Sequence, residues 1–152
     1  MGETPQDDGQ DFDVSTLEGI TTFVEHIAEQ TRQTVFHTKG LMPMCTLFAL
    51  KDPAGHELET ARPVMIPPTT QNWKDVRRTL RKGYLRFNAR GVLRIHNEGR
   101  RILFQVEHAE FGDLVWHATP DDSYMLGKLF GPTPLEKLES PKLNILPRTY
   151  MS

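Results

Sequence analysis

The sequence predicts an α+β fold, a two-layer sandwich in which a mostly antiparallel sheet carries two amphipathic helices. Two long segments repeat apolar residues at intervals of three and four, which is typical of helices that bury one face. A hairpin-like segment lies between them, and three short strand-like segments follow the second. Since the chain shows neither an internal repeat nor an alternating β-α-β pattern, a parallel sheet is not expected.

The first helix is predicted over residues 15–37. Ser15 and Glu18 have the spacing of a capping box, in which each side chain accepts a hydrogen bond from the backbone N–H of the other residue. Gly40 is expected to stop the helix. The predicted buried face consists of Leu17, Ile20, Phe23, Val24, Ile27, Thr31 and Val35. With about six turns, this helix is the natural element for a sheet to pack on.

A β-hairpin is predicted next. Residues 44–50, MCTLFAL, contain few polar side chains and are expected to form a buried strand. Residues 52–55, Asp-Pro-Ala-Gly, have the composition of a tight turn. The returning strand covers residues 56–66, and Pro63 within it predicts an edge strand or a bulged one, because proline cannot donate to a sheet ladder.

A second helix and a three-stranded meander complete the predicted domain. The helix is predicted over residues 70–88. The three strands of the meander are expected at 92–96, 101–108 and 114–118, with hairpin-like connections. The apolar face of the second helix consists of Trp73, Val76, Leu80, Tyr84 and Phe87. At about 100° per residue, these five side chains fall on one side of the helix.

Composition divides the chain into three parts. Residues 1–12 are predicted to be a flexible acidic arm, and residues 13–118 the α+β domain. Residues 119–152 form a Pro-rich apolar C-terminal extension, with one short helix expected to end at Phe130 and another to begin at Pro134. This extension is too apolar to be a free linker, so we expect it to wrap the domain or to dock on a partner.

Location and redox chemistry are bounded by what the sequence lacks. The acidic N-terminus contains no apolar run, so no signal peptide is predicted, and no stretch approaches the ~20 apolar residues of a membrane span. A cytoplasmic location is therefore expected. The single cysteine, Cys45, excludes a disulfide within the chain and a cysteine-based zinc site. Because Cys45 lies in a predicted buried strand, we expect a core residue and not a nucleophile.

Charge segregation is the clearest functional signal. Residues 1–31 contain eight carboxylates and no Lys or Arg, whereas residues 74–101 contain ten basic residues and only two acidic ones, Asp75 and Glu98. The formal net charge of the whole chain is only −2. The two charged regions therefore balance each other, and neutralisation within the chain is one explanation for the pattern.

The basic residues of the second helix are organised along one side. Helical geometry places them next to the apolar face, interrupted only by Leu85. We call this set the basic flank; its members are Lys74, Arg77, Arg78, Arg81, Lys82 and Arg86. Such a flank can be a solvated surface, can meet an acidic protein surface, or can track the phosphates of a nucleic acid. Since no fingerprint of an established DNA- or RNA-binding module is present, the nucleic-acid interpretation ranks below the protein one.

A catalytic alternative rests on one constellation. Glu107, His108, His117 and Asp121 lie on or beside neighbouring predicted strands, where they could form the site of a small metal-dependent hydrolase. Their spacing matches no metal motif, and structural or surface histidines are the simpler interpretation. The chain contains no GxSxG elbow, P-loop or GxGxxG sequence, so no cofactor and no bound metal is expected.

Together these observations predict a binding or adaptor protein without enzymatic activity. It would dock on another macromolecule, most readily a protein, through the basic flank, the C-terminal extension or both. Small accessory proteins of bacterial or phage defence, secretion and mobile-element systems often have this character. The alternatives are a nucleic-acid-binding protein and the metal-dependent hydrolase described above.

Overall fold

The computed structural model describes residues 12–38, 44–66, 72–98, 101–119, 127–134, 143 and 145. These residues form an α+β fold with one six-stranded antiparallel sheet and two helices. The helices are α1 (Leu17–Thr38) and α2 (Trp73–Phe87). The strands are β1 (Met44–Lys51), β2 (Glu57–Ile66), β3 (Gly91–Glu98), β4 (Arg101–His108), β5 (Gly112–Ala118) and β6 (Phe130–Pro134).

The sheet has the strand order β2-β1-β3-β4-β5-β6, and all neighbouring strands are antiparallel. The predicted hairpin is confirmed as β1 and β2, and the predicted meander is confirmed as β3, β4 and β5. The expected edge position of the strand that contains Pro63 is also confirmed, because β2 is the first strand of the sheet. Because β1 lies between β2 and β3 in the sheet, the connection from β2 through α2 to β3 crosses over β1.

The residues before α1 cover part of the β2 edge. The Val14 N–H donates to the Ala61 carbonyl at 3.0 Å, and the Ala61 N–H donates to the Ser15 hydroxyl at 2.7 Å. Ser15 is thus used on the sheet, and the predicted capping box is wrong in detail. The Thr16 hydroxyl instead accepts from the Gly19 N–H at 3.0 Å and caps the helix. Both polar groups of the Ala61 backbone are satisfied by this segment, so the sheet edge is closed at its centre.

One buried cluster joins α1 to the first face of the sheet. Phe23 of α1 contacts Phe48 of β1 edge-on, with ring centroids 6.2 Å apart. Trp116 lies in the same cluster and is 1% exposed. The other principal members are Ile20, Val24, Ile27, Leu93, Ile95, Ile102, Phe104 and Val106. The predicted buried face of α1 is confirmed for Ile20, Phe23, Val24 and Ile27, but Leu17 is 41% exposed, so its assignment to that face was wrong. The side chains of residues 31–38 are outside the described part.

A second buried cluster joins α2 to the opposite face. Leu80 and Phe87 pack with Leu47 and Val92, whose side chains alternate with those of the first cluster along β1 and β3. Gly83 allows close approach at this contact, because a Cβ there would lie 2.6 Å from Leu47 Cδ1 and the Leu47 side chain would have to move. Since α1 and α2 pack on opposite faces of the sheet, the predicted two-layer sandwich is not confirmed. The amphipathic character predicted for both helices stays a prediction.

The described part of the C-terminal extension contacts the domain. Phe130–Pro134 pairs with β5 as β6, in a place where the sequence predicted the end of one helix and the start of another. Leu143 and Ile145 are buried in the cluster of α2. Neither helix among the described residues is both long and apolar enough to cross a membrane.

Candidate docking surface

The scaffold of the candidate surface is α2, and both of its ends are capped. The Asn72 side chain accepts a hydrogen bond from the Lys74 N–H at 2.9 Å. At the other end Asn88 adopts a left-handed conformation, and the Ala89 N–H donates to the Tyr84 carbonyl at 3.0 Å. Left-handed caps terminate a helix because they satisfy its last carbonyls. The basic flank is thus carried by a 15-residue helix with defined ends, whose apolar side packs on the sheet.

Five members of the basic flank line one shallow groove of about 350 Å³, whose lining residues are Lys74, Arg77, Arg78, Arg81, Lys82 and Leu85. Arg86, the sixth member, lies elsewhere, and its guanidinium carbon is 5.0 Å from the centre of the Phe87 ring. Leu85 is 72% exposed, an unusual state for a large apolar side chain. The groove therefore combines concentrated positive charge with an apolar contact.

Pairing within the helix neutralises little of this charge. Arg78 lies 4.0 Å from the Asp75 carboxylate, and both side chains are more than half exposed. A solvent-exposed pair of this kind contributes only about 0–1 kcal/mol. The acidic residues of the predicted arm before Phe12 lie outside the described residues, so neutralisation by that segment stays a prediction.

At the first turn of α2, two arginines converge on Trp73. The guanidinium carbon of Arg94, from β3, is 3.9 Å from the centre of the Trp73 ring, and that of Arg77 is 5.5 Å from it. Both distances are within the range of cation–π contacts. Burial, followed by the neighbouring Arg77 charge, lowers the pKa of Arg94 from its usual value. The Coulombic effect of Cys45 acts in the opposite direction, and the two guanidinium groups share one indole ring.

Arg94 was not among the residues predicted for the site. It lies on a strand, and its register partner on β1 is Cys45. The signal available in the sequence is the single arginine between Leu93 and Ile95, two residues that are both buried. That signal shows an arginine on the second face of the sheet, but it does not show that α2 brings Trp73 onto it.

The residues of the predicted metal site do not converge. Glu107 and His108 are consecutive on β4, so their side chains lie on opposite faces of the sheet. The Glu107 carboxylate accepts a hydrogen bond from the Ile145 N–H at 2.7 Å and is 2% exposed. His117 stacks on Phe130, with ring centroids 5.6 Å apart, and its register partner is Leu103.

Asp121 lies outside the described residues. Across the ranges that are described, no three His, Cys, Asp or Glu side chains are close enough to hold a metal ion together. Buried His108 has a structural role instead. Its Nδ1 accepts from the N–H groups of Glu110 and Phe111, and its Nε2 lies 3.3 Å from the Val14 carbonyl.

Cys45 is expected to resist alkylation in the folded protein. Burial raises the pKa of the Cys45 thiol to about 11, although the positive charge of Arg94 acts in the opposite direction. A rise of two units from the value of 9.0 lowers the reactive thiolate fraction at pH 8 by about a hundredfold. Iodoacetamide labelling followed by mass spectrometry should show slow modification in buffer and rapid modification in denaturant. Comparable rates in both conditions would contradict the burial of Cys45.

Thus α2 carries a basic groove with an exposed leucine along its solvent side, and its first turn meets Arg94 of β3 in a Trp–Arg cluster beside that groove. Comparisons of this chain with protein-family models, with curated proteins and with solved structures found no match.

Proposed function

We propose that this chain is a non-enzymatic adaptor that docks on an acidic surface of another protein through the basic flank of α2. The observation that carries the proposal is the groove that five basic side chains line together with the exposed Leu85. Complementary charge accelerates encounter and selects partners, while an apolar contact that becomes buried supplies affinity. An acidic protein surface with an apolar site at its centre matches both properties.

A nucleic-acid partner is the second candidate, and two features of the groove favour a protein over it. Leu85 is exposed among the residues that line the groove, and a phosphate backbone has no apolar group to meet it. Single-stranded nucleic acids are held by aromatic platforms on which bases stack. The aromatic ring beside the groove, Trp73, is already in contact with Arg94 at 3.9 Å.

Reversing two flank charges tests the proposal. In the variant Arg78→Glu/Lys82→Glu, capture of a partner from nuclease-treated native lysate is expected to fall by about tenfold or more, because attraction becomes repulsion at the groove. Both side chains are exposed, so the melting temperature should stay close to that of the original chain. Quantitative mass spectrometry of the captured proteins provides the measurement.

A matched control separates a local effect from a change in net charge. Lys51→Glu alters the net charge by the same amount as Lys82→Glu, and Lys51 is the last residue of β1, outside both α2 and the C-terminal extension. We expect Lys51→Glu to retain the partner and Lys82→Glu to weaken capture. Equal capture by all variants would remove the basic flank as the docking surface. Capture that disappears with nuclease would replace the protein partner with nucleic acid.

A further inference from the structure

The most unusual arrangement in the described structure is the convergence of Arg77 and Arg94 on Trp73, which we call the Trp–Arg stack. The three residues come from two elements, α2 and β3, that meet only in the folded chain. All three are half-buried. Guanidinium groups repel one another, and half-buried groups are only partly screened by water, so a compensating interaction within the protein or an anion from outside would stabilise this geometry.

The indole ring supplies part of that compensation. Cation–π contacts stabilise a cation by about 0.5–2 kcal/mol, depending on how far it is removed from water. Arg94, at 3.9 Å, is well placed for such a contact, whereas Arg77, at 5.5 Å, is near the outer limit. The ring carries no formal charge, so two positive charges remain.

One hydrogen-bond donor of the Trp–Arg stack is not satisfied within the described ranges. The Arg77 Nε is buried, and it has no hydrogen-bond partner among the described residues. A buried donor without a partner is costly, and partial removal of a guanidinium from water adds to that cost. In the described part of the chain, no carboxylate forms a salt bridge with Arg77 or Arg94. The stack therefore has the composition of a binding site for an anion.

We infer that the Trp–Arg stack binds the carboxylate of an aspartate or glutamate side chain in an acidic peptide segment of the partner. This inference rests on the proposed function and names the anchor within the same docking surface. A planar carboxylate accepts paired hydrogen bonds from a planar guanidinium, which is the strongest geometry available to either group. Partly desolvated Trp and Arg side chains are also the types that dominate binding energy at interfaces.

Two classes of residue on the same surface then have different roles. Arg77 and Arg94 hold the carboxylate at the stack and determine how long the complex lasts. The exposed cations of the groove, such as Arg78 and Lys82, surround that anchor and mainly attract the partner from solution. Leu85 lies about three turns further along α2, about 18 Å from Trp73 at 1.5 Å per residue, and provides an apolar contact to a different part of the partner.

The test is a binding titration with a fluorescein-labelled hexaglutamate peptide at low ionic strength, followed by anisotropy. The original chain should bind the peptide. Arg94→Gln removes the charge but retains the shape, and it should weaken binding by about tenfold or more. Arg78→Gln, which also removes one positive charge, should weaken binding by only about two- to threefold. Arg94→Lys should recover part of the affinity, because lysine keeps the charge but lacks the planar fork.

Thermal unfolding of each variant establishes that the fold is retained. A parallel titration with labelled hexathymidylate compares phosphates with carboxylates. The inference is overturned by absence of hexaglutamate binding to the original chain, or by equal weakening from Arg94→Gln and Arg78→Gln. It is also overturned if Arg94→Gln weakens hexathymidylate binding as much as hexaglutamate binding, since the stack would then accept any anion.

The two proposals fail differently. If Arg78→Glu/Lys82→Glu loses the partner while Arg94→Gln retains both the partner and the peptide, docking through the flank stands and the carboxylate anchor is wrong. If the partner is retained by the double reversal and by Arg94→Gln alike, the docking function itself fails, and the anchor fails with it.

Discussion

Replacing Trp116 with alanine is expected to lower the free energy of unfolding by about 3–5 kcal/mol. Trp116 is 1% exposed on β5, in the cluster that α1 covers, and its register partner on β4 is Phe104. The substitution removes the largest fully buried side chain among the described residues. Since protein interiors are close-packed, the surrounding side chains can fill only part of the space that is left.

Chemical denaturation followed by circular dichroism measures this effect, and Trp73→Ala is the matched control. The control deletes the same side chain from a half-buried position on the other face of the sheet. It should cost clearly less stability, and it should weaken hexaglutamate binding, whereas a folded Trp116 variant should still bind. A loss for Trp116→Ala no larger than for Trp73→Ala would show that the cluster beneath α1 is not the main core.

His108→Leu is expected to cost about 2–4 kcal/mol, although the two side chains are similar in size. His108 is fully buried, and its Nδ1 accepts from the Glu110 and Phe111 N–H groups at 3.0 and 3.4 Å. Its Nε2 is 3.3 Å from the Val14 carbonyl. Leucine would leave the buried Val14 carbonyl and two partly buried N–H groups without their partner, and such a loss costs about 1–3 kcal/mol for each group that water does not reach.

The same histidine makes stability depend on pH. Burial lowers the pKa of His108 below its usual value of 6.5, and the neighbouring Arg90 charge acts in the same direction. The hydrogen bond to the Val14 carbonyl and the charge of Glu110 oppose that shift. Above about pH 6.5, His108 is neutral in both the folded and the unfolded chain, so its contribution to stability is complete.

Below that pH, the unfolded chain takes up a proton on His108 before the folded chain does. Stability is therefore lost as the pH falls from about 6.5 towards the lower pKa of the folded state, by at most about 1.4 kcal/mol per pH unit. The difference in unfolding free energy between the original chain and His108→Leu isolates this contribution. It should shrink between pH 7 and pH 5.

His56→Leu provides the control for both parts of this prediction. His56 is on the surface, with its side chain 79% exposed and 3.2 Å from the Asp52 carboxylate. Its replacement should change stability by no more than about 0.5 kcal/mol. A His108 variant that is as stable as the His56 variant at pH 7 would contradict the structural role of His108. A difference that does not change with pH would contradict the direction of its pKa shift.

Part of the candidate surface could be predicted from the sequence because it belongs to a single helix. The positions of Lys74, Arg78 and Lys82 relative to one another depend only on helical geometry, and the structure places them along one groove. Arg94 lies on β3 and Trp73 on α2, so the helical period that groups the flank residues could not associate Arg94 with Trp73. The metal-site hypothesis failed for a different reason. Glu107 and His108 are adjacent in sequence, but adjacent residues on a strand point to opposite faces of the sheet.

The helices, the hairpin and the meander could be predicted because each depends on local periodicity and turn chemistry. Pro63 indicated an edge strand or a bulged one, and helical geometry indicated that one side of α2 is basic. Neither kind of pattern specifies that α1 and α2 pack on opposite faces of the sheet, or that Phe130–Pro134 adds a sixth strand. Apolar periodicity specifies which side of an element is buried, but not which surface buries it. The contact between Trp73 and Arg94 depends on that surface, because it forms only when α2 packs onto the sheet.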